Sequence, residues 1–242
     1  MRHFGLIGKS LGHSFSKKFF TAKFQAEEIA ADYELIELEE ISKIRNEVAT
    51  RLLAGFNVTI PYKEAILPYL DELTEEARAI GAVNCVVVKE DKLIGHNTDA
   101  QGIEATMQWI EPKTDTKALV LGTGGASKAV QYVLRKLGVT YDVVSRDKSR
   151  GSYTYEELTG DIVAEHKLII NTTPLGMSPN TDSYPAIDYD ALTSDHALFD
   201  VVYNPAKTEF LRRGEERGAR TFGGMLMLQT QAIASWHFWN RK

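Results

Sequence analysis

The residues with the clearest chemical signature lie in the middle of the chain. Leu119-Val120-Leu121 has the character of a short buried strand, and it runs directly into Gly122-Thr123-Gly124-Gly125-Ala126-Ser127 and then a helical pattern. Binding a pyrophosphate needs that order. Gly122 allows the tight turn, Gly124 lets backbone N–H groups approach the anion, and small residues at Ala126 and Ser127 let the helix pack close to the sheet with its amino end toward the charge. A bare G-x-G is weak evidence, and the strand before it and the helix after it supply the required context. The end of the following strand, Val143-Val144-Ser145-Arg146-Asp147-Lys148-Ser149-Arg150, bears on which dinucleotide would bind. An acid at that point normally accepts from the ribose 2′-hydroxyl of NAD. Arg146, Lys148 and Arg150 can instead surround a 2′-phosphate, which favours NADP. The same stretch also reads as a solvated charged loop, and Asp147, turned inward, would repel a phosphate.

A second set of polar residues sits at or beside strand ends in the first half. Asn57, Thr59 and Lys63 flank a strand that stops at Pro61, Asn84 interrupts the apolar run Ala82–Val88, and Asn97-Thr98-Asp99 precede a helix. Singly, each has a bland explanation: a satisfied core amide for Asn84, a helix cap for Thr98 or Asp99, a solvent lysine for Lys63. Together they suggest a polyol site, with Asn and Thr fixing hydroxyl groups and a Lys and an Asp supplying charge and proton transfer. Ser14 and Ser16, at the start of a helix, suit a substrate carboxylate or serve simply as caps.

The elements that must position these residues alternate between strand and helix along the whole chain, which predicts an α/β class with parallel sheet. Strands are expected over Phe4–Ile7, Tyr33–Leu38, Gly55–Ile60, Val83–Val88, Ala118–Leu121, Tyr141–Val144, Leu168–Ile170 and Ala197–Val202. A hairpin through Glu90-Asp91 is expected to pair Lys92–Ile94 with Val83–Val88. Helices are expected over Phe15–Ile29, Ile41–Leu52, Asp99–Ile110, from the glycine turn to Leu137, and over Met225–Asn240. Gly138 is expected to end the helix after the glycine turn, and two short helices, punctuated by Pro68 and Asp71, are expected to end near Gly81. The segment Glu111–Lys117 reads as a linker. Two domains follow: residues 1–100, rejoined by the terminal helix at about 225–242, and a Rossmann-type domain over 101–224, with a cleft between them.

The motifs in order resemble those of the shikimate dehydrogenase family over nearly the whole chain. Gly8-Lys9-Ser10-Leu11-Gly12-His13-Ser14-Phe15-Ser16 resembles the family's amino-terminal motif, and Gly55-Phe56-Asn57-Val58-Thr59-Ile60-Pro61-Tyr62-Lys63-Glu64 its lysine motif. Gly81-Ala82-Val83-Asn84, Asn97-Thr98-Asp99-Ala100-Gln101-Gly102, Asn171-Thr172-Thr173-Pro174-Leu175-Gly176-Met177, Asp200-Val201-Val202-Tyr203-Asn204-Pro205 and Met225-Leu226-Met227-Leu228-Gln229 complete the series. The resemblance implies an NADP-dependent oxidoreductase that reversibly reduces 3-dehydroshikimate to shikimate, in aromatic amino acid biosynthesis by way of chorismate. It implies Lys63 and Asp99 as the catalytic pair, and Ser14, Ser16, Thr59, Asn84, Tyr203 and Gln229 as substrate ligands. It implies Gly122, Thr123, Gly124, Gly125 and Ala126 at the pyrophosphate, Ser145, Arg146 and Arg150 at the adenosine phosphate, and Asn171, Thr172 and Val201 beside the nicotinamide. Ser10 stands where a proline is common, Cys85 for a threonine and Ser145 for an asparagine. The rival readings are an NAD-dependent quinate/shikimate dehydrogenase, which Asp147 keeps open, and a non-catalytic ligand-sensing relative.

Composition sets the remaining bounds. The chain has 242 residues, 43% hydrophobic and 25% charged, with a formal net charge of -5, which argues against a nucleic-acid partner. One cysteine, Cys85, excludes an internal disulfide and suits a reducing cytoplasm. No apolar run approaches the ~20 residues of a membrane helix. The histidines are scattered without ligand spacing, so no metal is expected. The expected partners are small molecules, with the protein a monomer or homodimer.

Overall fold

The computed structural model describes every residue except His13, Thr114 and Lys242; His13, inside the amino-terminal motif, and Thr114, inside the expected linker, therefore lie outside the described residues. The strands are β1 (Arg2–Gly8), β2 (Ala31–Glu37), β3 (Leu53–Val58), β4 (Glu72–Leu73), β5 (Cys85–Lys89), β6 (Lys92–His96), β7 (Lys117–Leu121), β8 (Thr140–Val144), β9 (Leu168–Asn171), β10 (Ala197–Asp200) and β11 (Arg220–Phe222). The helices are α1 (Phe15–Ala26), α2 (Ile44–Arg51), α3 (Tyr62–Ala65), α4 (Glu75–Ile80), α5 (Asp99–Ile110), α6 (Gly125–Lys136), α7 (Gly160–Glu165), α8 (Glu209–Glu216) and α9 (Met225–Trp239). The chain divides into two compact units, Met1–Thr98 with Gln231–Lys242, and Asp99–Thr230.

The first unit holds a mixed six-stranded sheet in the order β2-β1-β3-β5-β6-β4. β1 pairs in parallel with β2 and β3, β5 runs antiparallel to both β3 and β6, and β4 pairs in parallel with β6. Successive strand residues face opposite ways, and the sequence fills both faces. Ile7, Ile36, Phe56, Val58 and Val86 join Ile44 and Val48 of α2 and Tyr62 of α3 in one core. Phe4, Leu6, Tyr33, Cys85 and Val87 join Phe20 and Phe24 of α1 with Ala232, Phe238 and Trp239 of α9 in the other. Gly55 is required there: a Cβ would come within 2.6 Å of the Trp239 ring, whose indole N–H donates to the Val86 carbonyl at 2.9 Å.

The second unit holds a parallel five-stranded sheet in the order β11-β10-β9-β7-β8. One face is covered through Val163 of α7 and Phe210 and Leu211 of α8. α6 buries Ala129, Val130, Val133 and Leu134 and packs against α5. α6 ends at Lys136, and Gly138 beyond it takes φ +71°, the left-handed geometry glycine supplies after a helix. Chain order starts at β7, steps to β8 on one side, and then passes to β9, β10 and β11 on the other. The reversal falls between β7 and β9, and open α/β sheets bind ligands at the carboxyl ends of the strands flanking such a point.

Several boundaries differ from the sequence expectation. α1 stops at Ala26 rather than Ile29, because Glu28 adopts φ +52°. β10 ends at Asp200 rather than Val202, where the carboxylate accepts from the Val202 N–H and turns the chain. The short elements β4, α7 and β11 carry too little periodic pattern to have been expected, and α8, which is amphipathic and buries Phe210, Leu211 and Gly214, was not expected either.

Candidate active site

In the first unit the singled-out polar residues converge on one end of the sheet. β1, β3 and β6 run the same way, and Gly8, Thr59 and Asn97-Thr98 lie at or just past their carboxyl ends. The Thr59 N–H donates to the Ile7 carbonyl at 2.9 Å, and a Cβ on Gly8 would meet the Thr59 methyl at 2.8 Å. The glycine therefore lets the loop after β1 close over Thr59. Ser14 holds the N-cap position of α1 without a side-chain capping bond, and Ser16 lies in the first turn. The capping explanation thus does not use the Ser14 hydroxyl.

Asn84 is buried just before β5. Its Oδ1 accepts from the Thr98 N–H at 2.7 Å, and its Nδ2 donates to Thr98 Oγ1 at 3.0 Å. Its carbonyl accepts from the Val58 N–H and from Asn57 Nδ2. Half-buried Lys63 sits on α3, immediately after the β3 loop, and its carbonyl accepts from the Val83 N–H at 2.7 Å. That bond ties the lysine-bearing turn to the Gly81–Asn84 segment. Asn97 is buried and donates to the Ala82 carbonyl.

The second unit opens with Asp99, buried as the first residue of α5. The glycine turn lies between β7 and α6. Gly122 takes φ +108°, and a Cβ there would meet Thr172 Oγ1 at 2.8 Å. That conformation and that approach both require glycine. A Cβ on exposed Gly124 would meet nothing within 4 Å, so the space beside it is open. Ser127 is fully buried and donates to the Gly122 carbonyl at 2.7 Å, closing the turn against the helix. Gly125 and Ala126 form the first turn of α6, a 12-residue helix whose free N–H groups face outward at its start. A dinucleotide's pyrophosphate fits this arrangement.

Residues from neighbouring strand ends join the turn. Thr172 donates from Oγ1 and from its N–H to the Leu121 carbonyl, at 2.6 and 2.9 Å. Asn171 is buried. Its Nδ2 donates to Asp200 Oδ1 at 3.0 Å, and its Oδ1 accepts from Thr173. The Val201 N–H donates to the Asn171 carbonyl, which sets Val201 beside Asn171, and Tyr203 follows, half-buried. Asp200 also accepts from Thr208 Oγ1 at 2.6 Å; burial raises its pKa to about 6 against the lowering from these donors.

At the end of β8, Ser145 is buried and accepts from the Asp147 N–H. The charged loop beyond it is differentiated. Arg150 donates to the Thr123 carbonyl at 3.1 Å, pinning the loop to the glycine turn. Lys148 pairs with Glu157 at 2.6 Å. Asp147 accepts from the Ser149 N–H and hydroxyl, and these bonds, with Arg150 nearby, hold its carboxyl below the usual range. Arg146 is exposed.

Gln229 departs from expectation. On α9, Met225, Gln229, Ile233 and His237 form the exposed stripe, one i,i+4 row. Gln231 lies two residues, and so about 200°, further round. It shares its face with Ser235, whose hydroxyl donates to the Gln231 carbonyl and accepts from Asn57 Nδ2. Sequence reasoning also passed over Tyr33 and Ser235. A serine inside the mostly apolar stretch Ala232–Trp239 was a detectable signal for Ser235, whereas Tyr33 sits in a strand that also carries Asp32, Glu34 and Glu37 and does not stand out. Among the described residues no group of His, Cys, Asp or Glu is arranged to hold a metal ion, and no helix is long and apolar enough to cross a membrane.

Known proteins share both the sequence and the fold. A family model described as the shikimate dehydrogenase substrate binding domain matches residues 6–86. The chain is 36% identical over 252 residues to a shikimate dehydrogenase (NADP(+)) of Carboxydothermus hydrogenoformans, covering 97% of this chain and 90% of the relative. A crystal structure of shikimate 5-dehydrogenase from Thermus thermophilus, in complex with NADP(H) and shikimate, superposes with a TM-score of 0.87 at 30% identity, covering 99% of this chain and 94% of that one. A quinate dehydrogenase from Corynebacterium glutamicum in complex with NAD also superposes at 0.87 and 30% identity, covering 99% and 93%.

Proposed function

The chain belongs to the shikimate dehydrogenase family, and from that premise we propose that it catalyses the reversible NADPH-dependent reduction of 3-dehydroshikimate to shikimate. The observation that carries the reading is the gathering of Thr59, Lys63, Asn84 and Thr98 at one sheet end, in a chain whose other sheet presents a glycine turn at its switch point. The first unit, with the end of α9, is the substrate domain, supported by the family match to residues 6–86. The second is the dinucleotide domain.

Bound NADPH supplies a hydride to the C3 carbonyl of the substrate. Lys63, as an ammonium, stabilises the charge that grows on that oxygen and delivers a proton to it. Asp99 orients Lys63 and accepts from a neighbouring ring hydroxyl. Asn84 and Thr59 fix ring hydroxyls, Ser14 and Ser16 take the carboxylate, and Tyr203 is a further substrate ligand. Gln231 takes the ligand role that the sequence motif assigned to Gln229, because its helix face is the one that reaches the polar network.

The backbone from Gly122 through Ala126, with Thr123 and Gly125, cradles the pyrophosphate. Arg146 reads the 2′-phosphate, and Arg150 locks the loop that carries it while Ser145 supports its base. Asn171, Thr172 and Val201 line the nicotinamide side. The proposal extends to a cytoplasmic enzyme of small molecules that works as a monomer or homodimer.

The direct test follows reduced nicotinamide absorbance with shikimate and NADP, crossed with NAD and quinate. Turnover fastest with shikimate and NADP is expected. Lys63→Ala should lose about 10²–10⁴ in kcat, with KM changing far less. A folded protein without turnover on any pair would end the reading, and near-normal kcat in Lys63→Ala would remove that residue from the mechanism.

A further inference from the structure

Beneath the substrate residues of the first unit runs a buried chain of hydroxyls and amides that the reaction itself does not account for. Tyr33, on β2, donates from its hydroxyl to Asn57 Oδ1 at 2.9 Å. An amide oxygen can only accept, so the phenol is the donor and the Asn57 amide is fixed in one orientation. Its Nδ2 then donates to Ser235 Oγ at 2.8 Å and to the Asn84 carbonyl at 3.1 Å. Ser235 gives its single proton to the Gln231 carbonyl at 2.9 Å. In the 3.1 Å contact between Thr98 Oγ1 and Ser235 Oγ only Thr98 is then left to donate, with a proton it shares between Ser235 and Asn84 Oδ1 at 3.2 Å. Thr98 in turn receives Asn84 Nδ2 at 3.0 Å. At the other end, the Ser16 side chain lies beside the Tyr33 hydroxyl. Tyr33, Asn57, Asn84, Thr98 and Ser235 are each at most 5% exposed, so bulk solvent does not reach a partner left unpaired.

We propose that Tyr33 is a positioning residue for substrate binding, acting through Asn57 and Ser235 to set the orientation of Asn84 and Thr98. The inference rests on the functional reading above, because it takes Asn84 as a substrate ligand. Two donor runs, from Tyr33 through Asn57 and from Asn84 through Thr98, converge on the Ser235 hydroxyl, so the side expected at the substrate carboxylate and the amide expected at the ring hydroxyls share one acceptor. Removing the Tyr33 hydroxyl leaves Asn57 Oδ1 buried without that donor, and the strain falls on the groups Asn57 holds. Tyr33→Phe keeps the ring, which stacks on Phe20 with centroids 4.7 Å apart, so the variant deletes the hydrogen bond and preserves the packing.

A double-mutant cycle separates positioning from packing. Shikimate and NADP affinities are measured by calorimetry, and turnover by absorbance, for the unsubstituted protein, Tyr33→Phe, Asn84→Ala and the double variant. Tyr33→Phe is expected to weaken shikimate binding about tenfold with NADP affinity unchanged, and to cost less than about twofold when Asn84 is already alanine. An equal loss in both backgrounds, or a lowered melting temperature with shikimate affinity unchanged, would make Tyr33 a packing residue and overturn the proposal. Should Tyr33→Phe not fold, Ser235→Ala removes a single hydroxyl further along the same chain and runs the same cycle with the same outcomes. Shikimate binding without turnover would sink the functional reading and leave this cycle intact, whereas no shikimate binding by the unsubstituted protein would overturn both.

Discussion

Asp147 shows how much a single side chain's partners decide. From composition alone, an acid in the loop after β8 argues for NAD, since a carboxylate there would accept from a ribose hydroxyl and repel a 2′-phosphate. The structure gives that carboxylate two local donors, the Ser149 N–H and hydroxyl, so it caps its own turn, and the exposed Arg146 is the residue proposed for the phosphate. The Asp147 charge remains near the Arg150 guanidinium and still opposes a dianion, though an exposed charge acts through solvent and is partly screened. Replacing it should therefore help the phosphorylated cofactor selectively. Asp147→Ser keeps a capping hydroxyl and is expected to lower KM for NADP by about threefold to tenfold while KM for NAD moves less than about twofold. Arg146→Ala should do the reverse, raising KM for NADP about tenfold or more. Initial rates with both cofactors at fixed shikimate measure each effect. An equal change for NAD and NADP in either variant would show that the loop does not read the phosphate.

Helix α9 carries the comparison of sequence with structure at the scale of an element. The words Met225-Leu226-Met227-Leu228-Gln229 and Met227-Leu228-Gln229-Thr230-Gln231 have the same M-L-x-x-Q form, so a linear motif cannot choose between the two glutamines. The helix chooses, because residues two apart point about 200° from one another. Gln229 falls on the exposed stripe, and Gln231 on the face of Ser235. Close packing fixes that rotation: a Cβ on Gly102 of α5 would meet the Met227 carbonyl at 2.5 Å, so only glycine admits α9 at this approach. Gln231→Ala is accordingly expected to raise KM for shikimate about tenfold or more, and Gln229→Ala to change it less than about twofold. The opposite ranking in steady-state kinetics would restore the motif's register. Strand ends and the glycine turn were legible because their signals are local, namely an apolar run, a breaker and a cap. The short β4, α7 and β11 were not, since tertiary contacts rather than periodicity stabilise them. Tyr33 and Ser235 stayed hidden for a related reason: what makes them notable is the partner each meets across more than twenty intervening residues, and no local pattern encodes that.

At the scale of the whole molecule, each unit buries a titratable group, and the two respond to pH with opposite sign. In the first unit His96 bonds Thr74 Oγ1 through Nδ1, stacks on Phe238 and has Glu76 3.7 Å from Nε2. Burial, with Arg241 adding to it, lowers its pKa from 6.5 to about 4. The unfolded chain takes up the proton first, so the stability His96 contributes is present above pH 6.5 and is lost as pH falls toward 4. In the second unit burial raises Asp200 from 3.8 to about 6. Here the folded form holds the proton longer, so that contribution is full at low pH and is lost as pH rises through 6. Each effect is on the order of 3 kcal/mol at its limit, and across the window from about pH 4.5 to 6.5 the two nearly cancel in the sum while diverging between the units. The tryptophans allow the units to be watched apart, because Trp236 and Trp239 lie in the first and Trp109 in the second. In a Trp109→Phe protein, denaturant unfolding followed by fluorescence reports the first unit, and its midpoint should rise with pH across this window. Substituting His96→Asn in that background should flatten the rise. Asp200→Asn should leave the fluorescence midpoint's pH dependence as it was and, in far-ultraviolet circular dichroism, which reports both units, turn a nearly flat midpoint into one that rises with pH. A first-unit midpoint that falls with rising pH, or one whose slope survives His96→Asn, would show that other groups govern its acid response.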